Sequence, residues 1–450
     1  MVNPSEEFLR RMREMLGADY PAYEAALSSK RTRGLRVNRG KTDAESLEKA
    51  LKIGGRVPFF ENGFFLKDQK FGTHPYHHAG LFYLQEPSAM LPVAAIRPYL
   101  HGMILDLCAA PGGKSTQILD CMEEGSFLFC NEIVSARASV LCGNLERWGA
   151  ENYAVLNMNP KDMEQPFSEV FDAIVVDAPC SGEGMFRKEE AALLSWSEEN
   201  VRSCAMRQTE ILRSAAKMLR PGGVMVYSTC TLNREENEGV ILRFLEEEPT
   251  FSTLEPEPEV RSAVDRGFGL SEAMRLFPHK FPGEGHFACL LKKNGEGETA
   301  RKSAKNSPLS PLFKEKREAE DLLSSLGVQF FSERLLRFRD TVYLTGEGFF
   351  TPDKIHLYRA GTPVLTDKNG RLEPCHGAAM LLKKGQAKKQ ADFPAESAEI
   401  AAYLAGEQIA ADIPFTGFGV IAADGYPLGL VKASGGALKN HYPKGLRQSP

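Results

Sequence analysis

The sequence predicts an α/β protein built on a doubly wound, Rossmann-like parallel sheet, with a small α+β module before it and a β-rich appendage after it. Three observations carry this. From Met103 onward, short apolar runs alternate with turns and amphipathic stretches, as they do when helices cover both faces of a parallel sheet. Ahead of Met103 lies a shorter, aromatic-rich segment. Beyond Lys293 the composition breaks at Asn294-Gly295-Glu296-Gly297, and short apolar runs punctuated by Gly and Pro follow.

Taken in order, Phe8, Met12, Met15 and Leu16 recur at helical spacing between Ser5 and Ala26. Arg31, Arg33, Arg36 and Arg39 then fall within nine residues; they read as a phosphate-binding patch or as the solvated face of a strand. A helix is expected over Glu45–Ile53, and strands around Phe59-Phe60 and Phe64-Phe65. His74, His77 and His78 have no matching Cys/His cluster, so no metal is expected.

In the central region the candidate strands are Met103–Leu107, Phe127–Cys130, Tyr153–Leu156, Ala173–Asp177 and Val224–Ser228. Val134–Arg147 and Val201–Leu219 read as helices, the second ended by a turn at Pro221-Gly222-Gly223. His286–Leu291 is expected to close the sheet at one edge. Further on, Val328–Phe331, Val342–Leu344 and Gly417–Ala422 read as strands of the appendage, which divides near Lys383–Lys389.

With 450 residues, 42% hydrophobic and 25% charged, the chain has an ordinary globular composition for two to four domains. No apolar run approaches the roughly 20 residues of a membrane span. The acidic start, Ser5-Glu6-Glu7, is not followed by the apolar core of a secretory signal, so a cytoplasmic location is expected. Nine cysteines without a C-x-x-C pair argue against zinc ribbons and disulfide scaffolds. Residues 301–450 hold 21 Lys+Arg against 16 Asp+Glu, although the whole chain carries −4; a local basic surface is compatible with RNA.

Asp106-Leu107-Cys108-Ala109-Ala110-Pro111-Gly112-Gly113-Lys114 falls where the first strand turns into the first helix, the usual nucleotide position in a doubly wound sheet. A triphosphate loop would need glycine five positions before Gly113, where Cys108 stands. Glu132, ending the next strand 26 residues beyond Asp106, is placed to bind both hydroxyls of a ribose. Cys180, in Asp177-Ala178-Pro179-Cys180, and Cys230, in Ser228-Thr229-Cys230, follow neighbouring strands and should face one crevice. By position alone they are equally two core thiols or a catalytic pair. The chemistry that wants them is methylation at C5 of cytosine: thiolate addition at C6 makes C5 nucleophilic, and a base then removes the C5 proton. Asp177, with Lys114, is placed to manage the proton at N3.

Three motifs, Cys108 to Lys114, Asp177 to Gly184 and Ser228 to Glu238, resemble those of the RNA cytosine-C5 methyltransferases of the Nop/Sun type. His77 to Ser88 and Gly425 to Arg447 resemble the bacterial RsmF-like branch, which acts on 16S ribosomal RNA. The resemblance implies an S-adenosyl-L-methionine (AdoMet) methyltransferase with Cys230 as nucleophile and Cys180 assisting release. It implies AdoMet binding by Cys108, Ala109, Ala110, Pro111, Gly112, Gly113, Lys114, Glu132 and Asp177. Relatives place an acid after the third strand where this chain has Asn157-Met158-Asn159, so Asn159 is the candidate adenine contact. The implied plan is an α+β RNA-binding module at 1–95, the methyltransferase domain at 96–293, a linker at 294–312, an intermediate domain at 313–385 and a PUA-like RNA-binding domain at 386–450. The implied substrate is 16S rRNA or the small subunit, bound by a monomer with neither metal nor membrane. A tRNA methyltransferase and a non-catalytic assembly factor are the alternatives.

Overall fold

The computed structural model describes residues 4–67, 71–188, 190–297, 310–311 and 315–448. The chain opens with helices Glu6–Leu16 and Tyr20–Leu27, the first capped by the Ser5 hydroxyl accepting the Phe8 amide. Phe8 and Met12 are buried, as their spacing predicts. Their partners lie far along the chain: Phe8 meets Phe186 and Trp196 edge-on at 5.0 and 5.5 Å. Arg187 fastens the second helix by donating to the Ala26 carbonyl at 3.0 Å.

Strands β1 (Arg33–Val37), β2 (Arg56–Val57), β3 (Phe60–Leu66) and β4 (Phe82–Leu84) form an antiparallel sheet in the order β2-β3-β1-β4. Strand alternation puts Leu35 and Val37 into a core shared with Tyr403, Ile421 and Leu428 from the C-terminal region. Arg36, on the other face, is fully buried. It therefore cannot belong to a solvated face or a phosphate patch, and its job is internal.

The central sheet contains β5 (Met103–Asp106), β6 (Phe127–Asn131), β7 (Tyr153–Leu156), β8 (Phe171–Asp177) and β9 (Leu219–Thr229), parallel in the order β9-β8-β5-β6-β7. These are the five predicted strands, buried on both faces, which is why they read as continuous apolar runs. The strand order reverses at β5, so a crevice opens there beyond the strand ends. The Pro221-Gly222-Gly223 segment is a bulge within β9, not a turn: β8 pairs with Leu219 and then with Val224.

Strands β10 (Phe251–Leu254), β11 (Asp265–Gly267), β12 (Leu270–Leu276) and β13 (His286–Lys293) complete this side. β13 pairs antiparallel with β9, but it is not the edge expected of it; β12 and β11 extend the sheet beyond it, and β10 also pairs with β13. At the opposite edge Leu357–Ala360, from the region expected to form a separate intermediate domain, adds an antiparallel strand to β7.

The remaining strands of that region, Leu335–Phe338, Thr341–Leu344, Thr362–Lys368 and Arg371–Pro374, form a five-stranded sheet with Ser310–Pro311 from the expected linker. Val328–Phe331, predicted as a strand, carries no regular structure. A second five-stranded sheet spans Gln390–Asn440, with Gly417–Ala423 and Tyr426–Ser434 at its centre. Most of the expected linker lies outside the described residues. No helix among the described residues is long and apolar enough to cross a membrane.

Candidate active site

β5 ends at Asp106, and the chain crosses to the helix Gly113–Cys121 through a loop pinned from three sides. The Ala109 amide donates to the Asn131 carbonyl at 2.9 Å, Arg137 donates to the Ala110 carbonyl at 2.9 Å, and Asn144 donates to the Pro111 carbonyl at 2.7 Å. The Ala110-Pro111 bond is cis. Gly112 takes φ 110°, a conformation open to glycine, and an added Cβ would press on Leu141 at 3.1 Å. From below, Arg36 donates to the Gly113 carbonyl at 2.7 Å, to the Thr116 hydroxyl at 2.6 Å and to Gln85. The buried arginine thus ties the N-terminal sheet to the floor of the loop.

The acceptors around this loop fit a nucleoside with a charged amine. Asp106 takes the Ser115 hydroxyl on one oxygen at 2.7 Å, while its other oxygen is buried without a partner. Burial pushes its carboxyl up to about 7. Glu132, 3% exposed at the end of β6, accepts the Val134 amide at 2.9 Å and faces Arg137 at 3.4 Å. Beside it Ile133 leaves 55% of its surface exposed, an apolar ledge that the sequence alone did not single out. Asn157 joins the third strand end to the second by donating to the Glu132 carbonyl at 2.6 Å. Asn159 is exposed and uses its side-chain oxygen to cap the helix Pro160–Met163, taking the Lys161 amide at 3.0 Å; its amide nitrogen is the group left to face a ligand.

Across the switch point, Lys114 Nζ lies 2.6 Å from Asp177 Oδ2. The Ser228 hydroxyl donates to Asp177 Oδ1 at 2.8 Å. Burial works to raise the Asp177 carboxyl, but Lys114, His286 and Ser228 outweigh it and hold it below the ordinary range. Asp177 is thus a carboxylate at neutral pH and can only accept hydrogen bonds. His286, on β13, stands 3.8 Å behind Asp177 Oδ1. It is 2% exposed, and burial with Lys114 nearby pushes it down to about 3, so it is neutral.

The two cysteines that follow β8 and β9 are in contact, with Sγ atoms 3.3 Å apart. The Cys230 contact and burial push the Cys180 thiol well up, so Cys180 holds its proton; either sulfur can be the donor in the contact. Among the remaining cysteines, Cys130, Cys142, Cys204 and Cys289 are buried.

A buried polar network fixes the register of the two cysteine loops. Glu236 accepts the Ser181 amide at 2.9 Å, the Ser181 hydroxyl, Gln208 at 2.8 Å and Asn233 at 2.7 Å. Glu183 accepts the Leu232 and Asn233 amides at 2.9 and 2.7 Å and Trp196 Nε1 at 2.9 Å. The Gly184 amide donates to the Cys230 carbonyl at 2.9 Å, and a Cβ at Gly184 would meet that oxygen at 2.8 Å. Glu238 pairs with Arg275 at 2.5 Å, both buried. The acidic and amide residues after Cys230 therefore have a positioning task, which their place in the motif did not disclose. Among the described residues no group of His, Cys, Asp and Glu is arranged to hold a metal.

Three family models match the chain: 16S rRNA methyltransferase RsmB/F over residues 93–292, the N-terminal domain of 16S rRNA methyltransferase RsmF over 5–87, and the methyltransferase RsmF PUA domain over 390–448. Ribosomal RNA small subunit methyltransferase F of Escherichia coli O81 is 32% identical over 98% of this chain and 96% of its own length. The protein of the same name from Shewanella loihica is 34% identical over 87% and 83%. Among solved structures, a methyltransferase homologue from Pyrococcus horikoshii aligns with a TM-score of 0.55 at 26% identity, covering 64% of this chain and 95% of that one. With family models matching all but the intermediate region and a relative 32% identical along nearly its whole length, the chain belongs to the RsmB/F family of 16S rRNA methyltransferases.

Proposed function

We propose that this protein transfers the methyl group of AdoMet to C5 of a cytosine in 16S rRNA, with Cys230 as nucleophile and Cys180 as the releasing residue. The observation that carries the reading is the 3.3 Å contact between the two sulfurs at adjacent strand ends, beside the 2.6 Å Lys114–Asp177 pair. AdoMet, when bound, supplies an electrophilic methyl group on a sulfonium. The loop Cys108–Lys114 with Glu132, Asn159 and Asp177 would hold it; the unpartnered oxygen of Asp106 and the ledge at Ile133 suit its ammonium group and its adenine.

The chain's own residues then account for the remaining steps. The Cys230 thiolate, steadied by the Cys180 S–H, adds to C6 and pushes electrons toward C5 and N3. Lys114 supplies the proton for N3, while the Asp177 carboxylate accepts from the exocyclic amine that marks the base as cytosine. After C5 has taken the methyl group, Cys180, freed of its contact with the Cys230 sulfur now bonded to C6, gives its proton to solvent and takes the C5 proton; the C5–H electrons form the C5–C6 double bond, the C6–S electrons return to Cys230, and N3 returns its proton to Lys114. A base inside a helix cannot reach the crevice, so the target must be unpaired or flipped.

The same reading assigns residues 1–95 to RNA binding, 96–293 to catalysis, 294–312 to a linker and 386–450 to a PUA-like RNA-binding domain. Within 313–385, Leu357–Ala360 also serves the catalytic sheet. In this reading the protein acts as a monomer, and an rRNA substrate is in keeping with action in the cytoplasm. Bisulfite sequencing of 16S rRNA from cells with and without the gene tests the function. One or more protected cytosines should lose protection when the gene is deleted; no change in status at any cytosine refutes it.

A further inference from the structure

A second cavity, of about 680 Å³, lies at the other end of the central sheet. Its walls include Arg39 from the N-terminal module, Met122 and Gly149–Asn152 just ahead of β6 and β7, and Phe331, Arg334 and Lys383 from the C-terminal region. The cysteines follow the far ends of β8 and β9. One four-residue strand at about 3.3 Å per residue separates the two levels by at least about 13 Å. No single nucleotide fills both places.

The cavity is furnished for nucleic acid. Phe331 leaves 60% of its surface exposed, and the Arg334 guanidinium lies 4.7 Å from its ring centroid. Arg334 is itself held by Glu151 at 3.4 Å and Glu347 at 3.0 Å, so the ring and the guanidinium form a steady platform. Beside it, Lys383-Lys384-Gly385-Gln386-Ala387-Lys388-Lys389 brings four lysines into seven residues. None pairs with a carboxylate among the described residues, and Lys383, Lys384 and Lys388 are exposed. This lysine loop is fixed in place. The Lys388 amide donates to the Leu326 carbonyl at 3.1 Å, and the Gln386 carbonyl packs so closely on Gly327 that an added Cβ would meet it at 2.2 Å. Arg39, exposed and likewise without an ion pair among the described residues, also lines the cavity, its amide on the Asp120 carboxylate at 3.1 Å.

We propose that this cavity is an RNA subsite that binds an unpaired nucleotide of the substrate away from the target cytosine, its base stacked on Phe331 and its flanking phosphates on the lysine loop and Arg39. The inference rests on the RNA-methylating reading above. An exposed aromatic ring suits any base, and a rigid run of uncompensated lysines favours a polyanion over a protein surface of mixed charge. The subsite would set affinity and register, leaving the chemistry to the crevice.

The test measures binding of a 16S rRNA transcript across a salt series, and methyl transfer at saturating RNA, for Phe331→Ala, Phe331→Tyr and the double variant Lys383→Ala/Lys388→Ala. Phe331→Ala should weaken binding about tenfold while Phe331→Tyr binds like the parent. The double variant should lower the salt slope by about 1.4. Saturating rates should stay at the parent's value in all three. Unchanged affinity and slope in both Phe331→Ala and the double variant overturn the proposal. So does weakened binding to assembled small subunits with unchanged binding to the transcript, which would assign the surface to a protein partner. A parent that binds the transcript but methylates no RNA would refute the proposed function instead, and the binding results would still decide the subsite.

Discussion

Replacing Glu236 by Gln tests whether the polar network is what keeps the two cysteines in register. The carboxylate accepts four hydrogen bonds: Ser181 N and Gln208 Nε2 on one oxygen, Asn233 Nδ2 and the Ser181 hydroxyl on the other. Glutamine keeps the size but turns one acceptor into a donor. The less costly orientation places the new NH2 toward Asn233 and the Ser181 hydroxyl, because that hydroxyl can turn to Thr231 Oγ1 at 2.8 Å. Asn233 Nδ2 keeps its 3.1 Å bond to Thr231 and its long 3.4 Å bond to the Ser181 oxygen, and two donors now face each other. At about 1–3 kcal/mol for each buried donor left unmet, the expected loss is about 2–4 kcal/mol. For a catalytic domain of this size that lowers the melting midpoint by about 5–15 °C. Thermal unfolding and methyl transfer, measured side by side below the transition, should show a destabilised protein that still binds AdoMet but transfers methyl groups far more slowly. A midpoint within about 1 °C of the parent with full activity would refute the argument.

Two further perturbations probe the cofactor loop. Asp106 keeps its proton in the folded protein up to about pH 7, whereas the unfolded chain releases it in the ordinary carboxylate range. Its contribution to stability is therefore present below that range and lost as pH rises toward 7. Asp106→Asn should remove that fall, seen as a smaller difference in melting midpoint between pH 4 and pH 7; an unaltered pH profile contradicts it. Arg36→Met removes the hydrogen bonds beneath Gly113 and Thr116 and strands the Gln85 acceptor, while the Gly113 carbonyl keeps the Thr116 hydroxyl at 3.2 Å. At about 1–3 kcal/mol for a buried acceptor left unmet, it should destabilise the protein by that amount and weaken AdoMet binding in calorimetry, while unchanged stability and affinity would show that the arginine is not the floor of the loop.

How much of this was legible in the sequence follows from what each feature depends on. The five parallel strands were found because burial on both faces leaves an uninterrupted apolar run. β10 to β12 were missed because they are antiparallel, and β11 and β12 carry Asp265, Arg266, Glu272 and Arg275. Leu357–Ala360 gives no local sign of joining a sheet made some 200 residues earlier, since edge pairing is a tertiary fact. The cysteines could be assigned to neighbouring strand ends, but their sulfur contact depends on the Glu236 and Glu183 network. Arg36 was misread because four arginines in nine residues look like surface, whereas alternation along β1 aims this one at the cofactor helix. His286 sits in the strand that was predicted, yet only the pairing of β13 with β9 brings it behind Asp177.

The most direct test of the central claim is to incubate Cys180→Ala, Cys230→Ala and the double variant with AdoMet and 16S rRNA and to resolve covalent protein–RNA complexes on a denaturing gel. Cys180→Ala should trap an adduct through Cys230, and the other two should give none. An adduct in Cys230→Ala and none in Cys180→Ala would exchange the two roles, and an adduct in the double variant would contradict cysteine attack altogether.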